Sequence, residues 1–172
     1  MMEIANINDF EEIMNLYIAV VDAVNKTDVK LGWNTSVYPD KTFIQDAISK
    51  KQLLILRNEG AIIAAAVVNH VVNEEYKLID WRIKEPEEKI ATIHAIATSP
   101  THRGKRYSDI FLSAIEKYCK NNGDAAIHLD VIDTNYPAYK LYLRNDYIEI
   151  DNIEMYYEVV GKRKFWMMEK IL

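Results

Sequence analysis

The chain is short of several things, and each shortage narrows its function. It has a single cysteine, Cys119, in 172 residues, so no internal disulfide can form. Cys119 falls in a helical pattern beside Ile115 and Tyr118, where a small packing residue is expected. No basic partner is at hand to make it a nucleophile. Positive charge is also in deficit: 21 Lys and Arg stand against 26 Asp and Glu, for a net charge of −5. Such a surface repels nucleic acid, and no basic cluster with interleaved aromatics offsets it. The one short basic run, Lys162-Arg163-Lys164, is expected at the tip of a hairpin. An acidic protein has instead a mild long-range attraction for amines. Long hydrophobic runs are missing as well. The longest, Ala61 to Val68, is far too short to span a bilayer, and the acidic start from Met1 to Glu12 does not resemble a signal peptide. A cytoplasmic protein with no membrane partner is the expectation.

Half of the residues (49%) are apolar and 27% are charged, the balance of a globular protein able to bury a core. No repeat or linker divides the chain, so residues 1–172 are expected to form one domain. Phe10, Ile13, Met14, Tyr17, Val20, Val21 and Val24 recur at helical spacing, with Asn8 or Asp9 as a cap. Lys26 to Asp40 has no period and reads as a loop; Pro39 precedes a second helix over roughly 40–50. Gln52 to Arg57 and Ala61 to Val71 are strands joined by Asn58-Glu59-Gly60, a hairpin signal. Tyr76 to Arg82 is expected to be a short strand and Glu85 to Lys89 a charged turn. Ala91 to Thr98 is a strand. A helix carried by Ile110, Phe111, Ala114, Ile115 and Tyr118 follows and stops near Asn122-Gly123. Ala126 to Ile132 is a strand, Asn135 to Arg144 a helix, and Tyr147 to Leu172 two strands turning at Gly161-Lys162-Arg163. The strand–helix–strand unit over 91–132 implies a parallel pair with a right-handed crossover, flanked by hairpins. The expected architecture is an α/β (α+β) mixed sheet of about six to seven strands with about four helices.

Chemistry concentrates in Ser99-Pro100-Thr101-His102-Arg103-Gly104-Lys105-Arg106-Tyr107-Ser108, between a strand and a helix. A tight loop that opens a helix turns several backbone N–H groups toward one point, and the helix dipole adds positive charge there. A pyrophosphate fits such a site, with Arg103, Lys105 and Arg106 as three nearby cations. Taken alone, the same loop also suits an ordinary solvated turn.

It is not alone. Ile96-Ala97-Thr98-Ser99-Pro100-Thr101-His102-Arg103-Gly104-Lys105, the helix after it, and Asn135-Tyr136-Pro137-Ala138-Tyr139-Lys140-Leu141-Tyr142 together resemble the GNAT acyltransferase superfamily. In that family a strand ending "L-A-V-x-P" leads into "R-G-K-G-x-G" and a helix. A second strand leads to "N-x-x-A-x-x-L-Y". The resemblance covers nearly the whole chain in element order, with its specific motifs between Ile93 and Tyr147. It implies a GNAT-like fold and acetyl-coenzyme A as acyl donor, with no metal. Backbone groups of Ile96, Ala97 and Thr98 would pair with the pantetheine arm, and backbone amides from Arg103 through Gly104, Lys105, Arg106 and Tyr107 to Ser108 would cradle the pyrophosphate. Asn135 would touch the arm, and the Tyr142 hydroxyl would protonate the departing thiolate. The chain departs from the pattern where Arg106 and Ser108 replace two loop glycines, and where Asp146-Tyr147 stands for "G-F".

The attacking amine must lose a proton, and the family fixes no residue for this. Strict alternation would put His128, Asp130 and Ile132 on one face of their strand, and Thr92, His94, Ile96 and Thr98 on one face of theirs. Asp130 is the first candidate for the base and His94 the second; a water chain would serve the same reaction. Trp33, Tyr38 and Trp81 are the candidates for acceptor contacts, among aromatics that include Tyr76, Tyr156 and Tyr157 and that also suit core packing. The expected activity is transfer of an acetyl group to a primary amine of a small molecule or peptide, in a monomer or homodimer. A non-catalytic acyl-coenzyme A-binding domain of the same fold is the alternative, and an unrelated α/β phosphate-binding module a second one.

Overall fold

The computed structural model describes residues 1–172. In chain order the elements are β1 (Met2–Ile4), α1 (Phe10–Val24), α2 (Lys41–Ser49), β2 (Leu53–Asn58), β3 (Ala61–Asn69), β4 (Ile90–Thr98), α3 (Tyr107–Asn121), β5 (Ala126–Ile132), α4 (Tyr136–Arg144), β6 (Ile148–Tyr157) and β7 (Gly161–Ile171). The seven strands form one sheet in the order β1-β2-β3-β4-β5-β7-β6. Only β4 and β5 run parallel; every other neighbouring pair is antiparallel. The expected mixed sheet with four helices is therefore present.

Each face of the sheet is covered because each helix buries one stripe. Ile13, Met14, Leu16, Tyr17 and Val20 of α1 pack with Ile44, Ala47 and Ile48 of α2 on Leu53, Ile55, Ala65 and Val67. On the other face, Phe111, Leu112, Ile115 and Cys119 of α3 and Tyr142 of α4 pack on Leu54, Ala64, Ile93, Ile127 and Leu129. A fully buried side chain such as Ile13, Ile115 or Phe111 contributes about 1.5–3 kcal/mol. Cys119 is inside this second layer, and burial pushes its thiol up to about 12, so it packs rather than reacts. A third cluster of Tyr76, Ile79, Ile132, Met155, Phe165 and Met167 lies where the 72–81 segment covers β5 and β7.

The structure corrects three local expectations and adds one strand. Tyr76 to Arg82 is no strand: Glu74–Leu78 is a 3₁₀ turn, and the chain then runs on irregularly. It joins no strand of the sheet. Instead the buried Glu169 carboxylate accepts the Arg82 and Ile83 backbone N–H groups at 2.9 and 3.2 Å. The last hairpin turns at residues 158–160, not at Gly161-Lys162-Arg163; Gly161 already pairs with Tyr157, and Lys162 is bonded to Glu154 at 2.9 Å. The N-terminal strand β1, too short to show a period, pairs with β2. At the start of α1, Asp9 stands at the cap position, but its carboxylate accepts from the Asn6 backbone N–H (2.8 Å) and pairs with Arg57.

Candidate active site

β4 carries a bulge. Ala65 pairs with Ala97 and Val67 with His94, so Ala95 and Ile96 together oppose one residue of β3. Ala95 takes φ +49, a left-handed conformation unusual for alanine. The buried Tyr17 hydroxyl donates to the Ala95 carbonyl at 2.7 Å and holds the distortion in place. A bulge bends its strand and reverses the side-chain alternation beyond it. This overturns the expected grouping of Thr92, His94, Ile96 and Thr98 on one face. His94 shares a face with Ala97, whereas Ile96 packs into the α3 layer with Ile93.

The bend also opens the parallel pair. β4 and β5 pair only at Ile90–Ala126, Ala91–Ile127 and Thr92–His128, although β4 continues to Thr98 and β5 to Ile132. Past Thr92 the edge of β4 that faces β5 has no strand partner, leaving backbone donors and acceptors free. A cavity of about 720 Å³ fills this wedge; Ile93 to Thr98 line one side, Val131 and Ile132 the other, and Asn135, Leu141 and Tyr142 the α4 end.

At Thr98 the wedge meets the loop. Pro100–His102 forms a 3₁₀ turn, Gly104 takes φ +80, Arg106 takes φ +58, and α3 begins at Tyr107. A second cavity of about 450 Å³ is bounded by Thr98, Ser99, Arg103, Gly104, Arg106, Ser108 and Arg144 among others. It shares Thr98, Ser108 and Arg144 with the first. Nothing lies within 4 Å of the point where a side chain on Gly104 would start, so the backbone there is open to a ligand. The Arg106 side chain is 76% exposed and leans toward Asp109, with Nε 3.7 Å from Oδ2, at the border of this cavity. Ser108 donates its hydroxyl to Thr98 Oγ1 at 3.0 Å, tying the first turn of α3 to the end of β4. Asp109 is the one anion beside the cradle. Arg144 donates to it at 2.7 and 3.0 Å and Asn145 at 3.0 Å, which holds its carboxyl down at about 2 and neutralises its charge. Open backbone at a helix N-terminus with Arg103, Arg106 and Arg144 around it suits a pyrophosphate. Tyr107 lines the cradle; Lys105 is exposed and lines neither cavity.

Three candidate chemical groups open into the first cavity. Tyr142 is 3% exposed, its ring set against Tyr147 with centroids 5.4 Å apart. Burial, then the nearby Asp130 charge, raises its phenol well above the ordinary range, and its hydroxyl has no hydrogen-bond partner in the protein. Asp130 accepts on Oδ1 from the Tyr76 hydroxyl (2.6 Å) and the Tyr157 hydroxyl (3.4 Å). Burial raises its carboxyl above the usual range, opposed by these bonds and by His94. His94 Nε2 lies 3.0 Å from the Val71 carbonyl and 3.1 Å from Asn69 Oδ1, both acceptors, so this nitrogen carries the proton and Nδ1 keeps the lone pair. Burial lowers its affinity for a second proton, and Asp130 partly restores it. Asn135 caps α4 by accepting from the Ala138 N–H (3.3 Å) and also lines the cavity.

Of the three aromatic candidates, Trp33 and Tyr38 line the cavity and Trp81 does not. Trp81 stacks on His128, centroids 3.7 Å apart, and donates to the Tyr76 carbonyl at 2.9 Å, a packing role beneath the site. Sequence reasoning missed the bulge, the Tyr17 bond that holds it, and the two phenols on Asp130. These join residues 27 to 78 positions apart and leave no local signal. No group of three or more His, Cys, Asp and Glu is placed to hold a metal ion.

A mixed sheet parted between its parallel strands, with a loop of open backbone feeding the next helix, is the architecture of an acyltransferase fold. The sequence model described as the acetyltransferase (GNAT) family matches residues 18–147, and the chain belongs to that family. An acetyltransferase of the GNAT family from Streptococcus agalactiae shares the fold with a TM-score of 0.84 at 19% identity, over 100% of this chain and 95% of that one. An acetyltransferase from Salmonella typhimurium, solved with its cofactor acetyl-CoA, gives 0.70 at 16% identity over 100% and 93%. The ribosomal-protein-S18-alanine N-acetyltransferase of Escherichia coli gives 0.70 at 14% identity over 99% and 92%. No curated protein matches the sequence.

Proposed function

We propose that the protein transfers an acetyl group from acetyl-coenzyme A to a primary amine by direct attack in a ternary complex. The observation that carries this reading is the continuity of two cavities along one strand: the anion cradle at Arg103–Ser108 leads past the unpaired edge of β4 to Tyr142, Asp130 and His94. The donor supplies a thioester. Its phosphates suit the loop amides and Arg103, Arg106 and Arg144, and its amide arm suits the free edge at Ile96, Ala97 and Thr98, where Asn135 stands opposite.

In this scheme the amine nitrogen attacks the thioester carbonyl, whose oxygen gathers negative charge that a β4 backbone N–H stabilises. The carbon–sulfur bond then breaks, and the thiolate takes its proton from Tyr142. A phenol held above its ordinary range stays protonated at neutral pH and so is available as the acid. The amine proton goes to Asp130, whose Oδ2 is left free by the two phenols on Oδ1, with His94 Nδ1 as the neighbouring second candidate. The raised carboxyl makes Asp130 a better proton acceptor than an exposed aspartate. A screen of amines that reports released coenzyme A tests the reading. Release that needs both acetyl-coenzyme A and an amine supports it, and tight coenzyme A binding without release across the screen supports a non-catalytic binding domain instead.

A further inference from the structure

The wall of the cavity opposite α4 is built by two loops that clasp one another. The 26–40 loop brings in Leu31, Gly32 and Trp33, and the β6–β7 turn brings in Glu158, Val159 and Val160. They meet at Gly32, which takes φ +70; a β-carbon placed there would sit 2.3 Å from Val160 Cγ1. Only glycine permits so close an approach in that conformation. The Thr134 hydroxyl donates to the Lys30 carbonyl at 2.6 Å, pinning the first loop to the end of β5. Behind the clasp lies a separate cavity of about 570 Å³, which shares Val24, Leu31, Gly32, Trp33 and Val160 as a common partition.

Chemically this end of the first cavity is one-sided. Val20, Val24, Leu31, Trp33, Val160 and Phe165 give it apolar walls. Its charged side chains are Asp130 and Glu158. The one arginine in the lining, Arg144, is at the opposite end and paired with Asp109. Arg163 borders the cavity behind the partition, not this one. Burial disfavours the protonated form of His94. A carboxylate or phosphate brought in with the acceptor would face Asp130 and Glu158 with no compensating positive group, whereas an ammonium meets carboxylates.

We propose that the acceptor is a small primary amine with a compact apolar body and no acidic group, its ammonium turned to Asp130 and its body held against Trp33, Leu31 and Val160. This rests on the acetyl-transfer reading and narrows its substrate class, excluding amino acids and polypeptide termini.

The test pairs turnover with binding. Initial rates of thiol release are compared for 2-phenylethylamine, for phenylalanine (which adds only the carboxylate) and for an octapeptide with a free N-terminus. Calorimetry follows 2-phenylethylamine binding to the coenzyme A-loaded protein. We expect kcat/KM for 2-phenylethylamine to exceed that for phenylalanine by about 100-fold, as for an uncompensated buried charge. Val160→Ala thins the partition and should shift preference toward 4-phenylbutylamine by about 10-fold, with acetyl-coenzyme A affinity unchanged. Faster turnover of phenylalanine or of the peptide overturns the assignment while leaving acetyl transfer standing. Amine binding without turnover supports the pocket and contradicts acetyl transfer. Absence of both binding and turnover for 2-phenylethylamine overturns the assignment.

Discussion

Replacing Tyr142 by phenylalanine separates chemistry from architecture. The ring is 3% exposed, belongs to the large core cluster beneath α3, and meets Tyr147 edge-on at 5.4 Å. Phenylalanine keeps all of that packing. The hydroxyl has no hydrogen-bond partner within the protein, so the loss of about 1 kcal/mol typical of a deleted hydrogen bond does not arise. At about 2–4 °C of melting temperature per kcal/mol for a chain of this size, Tyr142→Phe should melt within about 2 °C of the parent. Tyr142→Ala, which also empties the ring site, should lose about 3–5 kcal/mol and melt roughly 6–20 °C lower. Turnover should fall even where stability is kept. Loss of the acid should lower kcat of Tyr142→Phe by about 10²–10⁴-fold while the affinity for acetyl-coenzyme A, set by the loop and the β4 edge, stays within about two-fold. The assay is thiol release with a saturating amine, beside calorimetry of coenzyme A binding and a thermal melt. A Tyr142→Phe protein that turns over at the parent rate removes Tyr142 as the acid.

Asp130→Asn should lower kcat by about 10²-fold or more and abolish the rise of rate with pH on the acid side. Retained turnover with that rise moved to lower pH would instead assign the base to His94, whose proton affinity Asp130 now raises. Arg106→Gly should weaken coenzyme A binding by about two- to five-fold, because a cation at the cradle is lost. Stability should stay within about 1 kcal/mol, since relief of the left-handed backbone at φ +58 offsets the greater freedom of glycine in the unfolded chain. Tighter binding by this variant would show that Arg106 obstructs the phosphates. The Asp109 carboxyl is depressed from 3.8 to about 2 by Arg144, so its contribution to stability is complete above pH 3.8 and is lost as pH falls through about 2. Acid unfolding of Asp109→Asn should lack that component; an unchanged acid profile would remove the Arg144 pair as its source.

Much of the fold could be read from the sequence because most elements advertise themselves locally. β5 lies at Ala126–Ile132 as the apolar run indicated, and α3 ends beside Asn122-Gly123 where the stop signal stands. Elements that depend on distant partners could not be read. The 74–82 segment has strand-like composition, but its backbone is satisfied by the carboxylate of Glu169 about 87 positions away. The β4 bulge sits at an alanine rather than a glycine, stabilised by Tyr17 from α1, so alternation misplaced Ile96 and Thr98 relative to His94. The candidate site divides the same way. The loop and the Asn135–Tyr142 segment were visible as motifs, whereas the phenols on Asp130, the tautomer of His94 and the Gly32–Val160 clasp are products of tertiary contact. Trp81 illustrates the cost of reading aromatics by type alone: it has the composition of a binding residue and the position of a packing one.

The central claim is that one continuous cleft binds acetyl-coenzyme A and delivers its acetyl group to an amine. Thiol release measured across a panel of primary amines, with acetyl-coenzyme A present and with it omitted, tests this most directly. The account predicts release that requires both the donor and an amine, together with an N-acetylated product of matching amount. Saturable coenzyme A binding accompanied by no amine-dependent release from any member of the panel would contradict it.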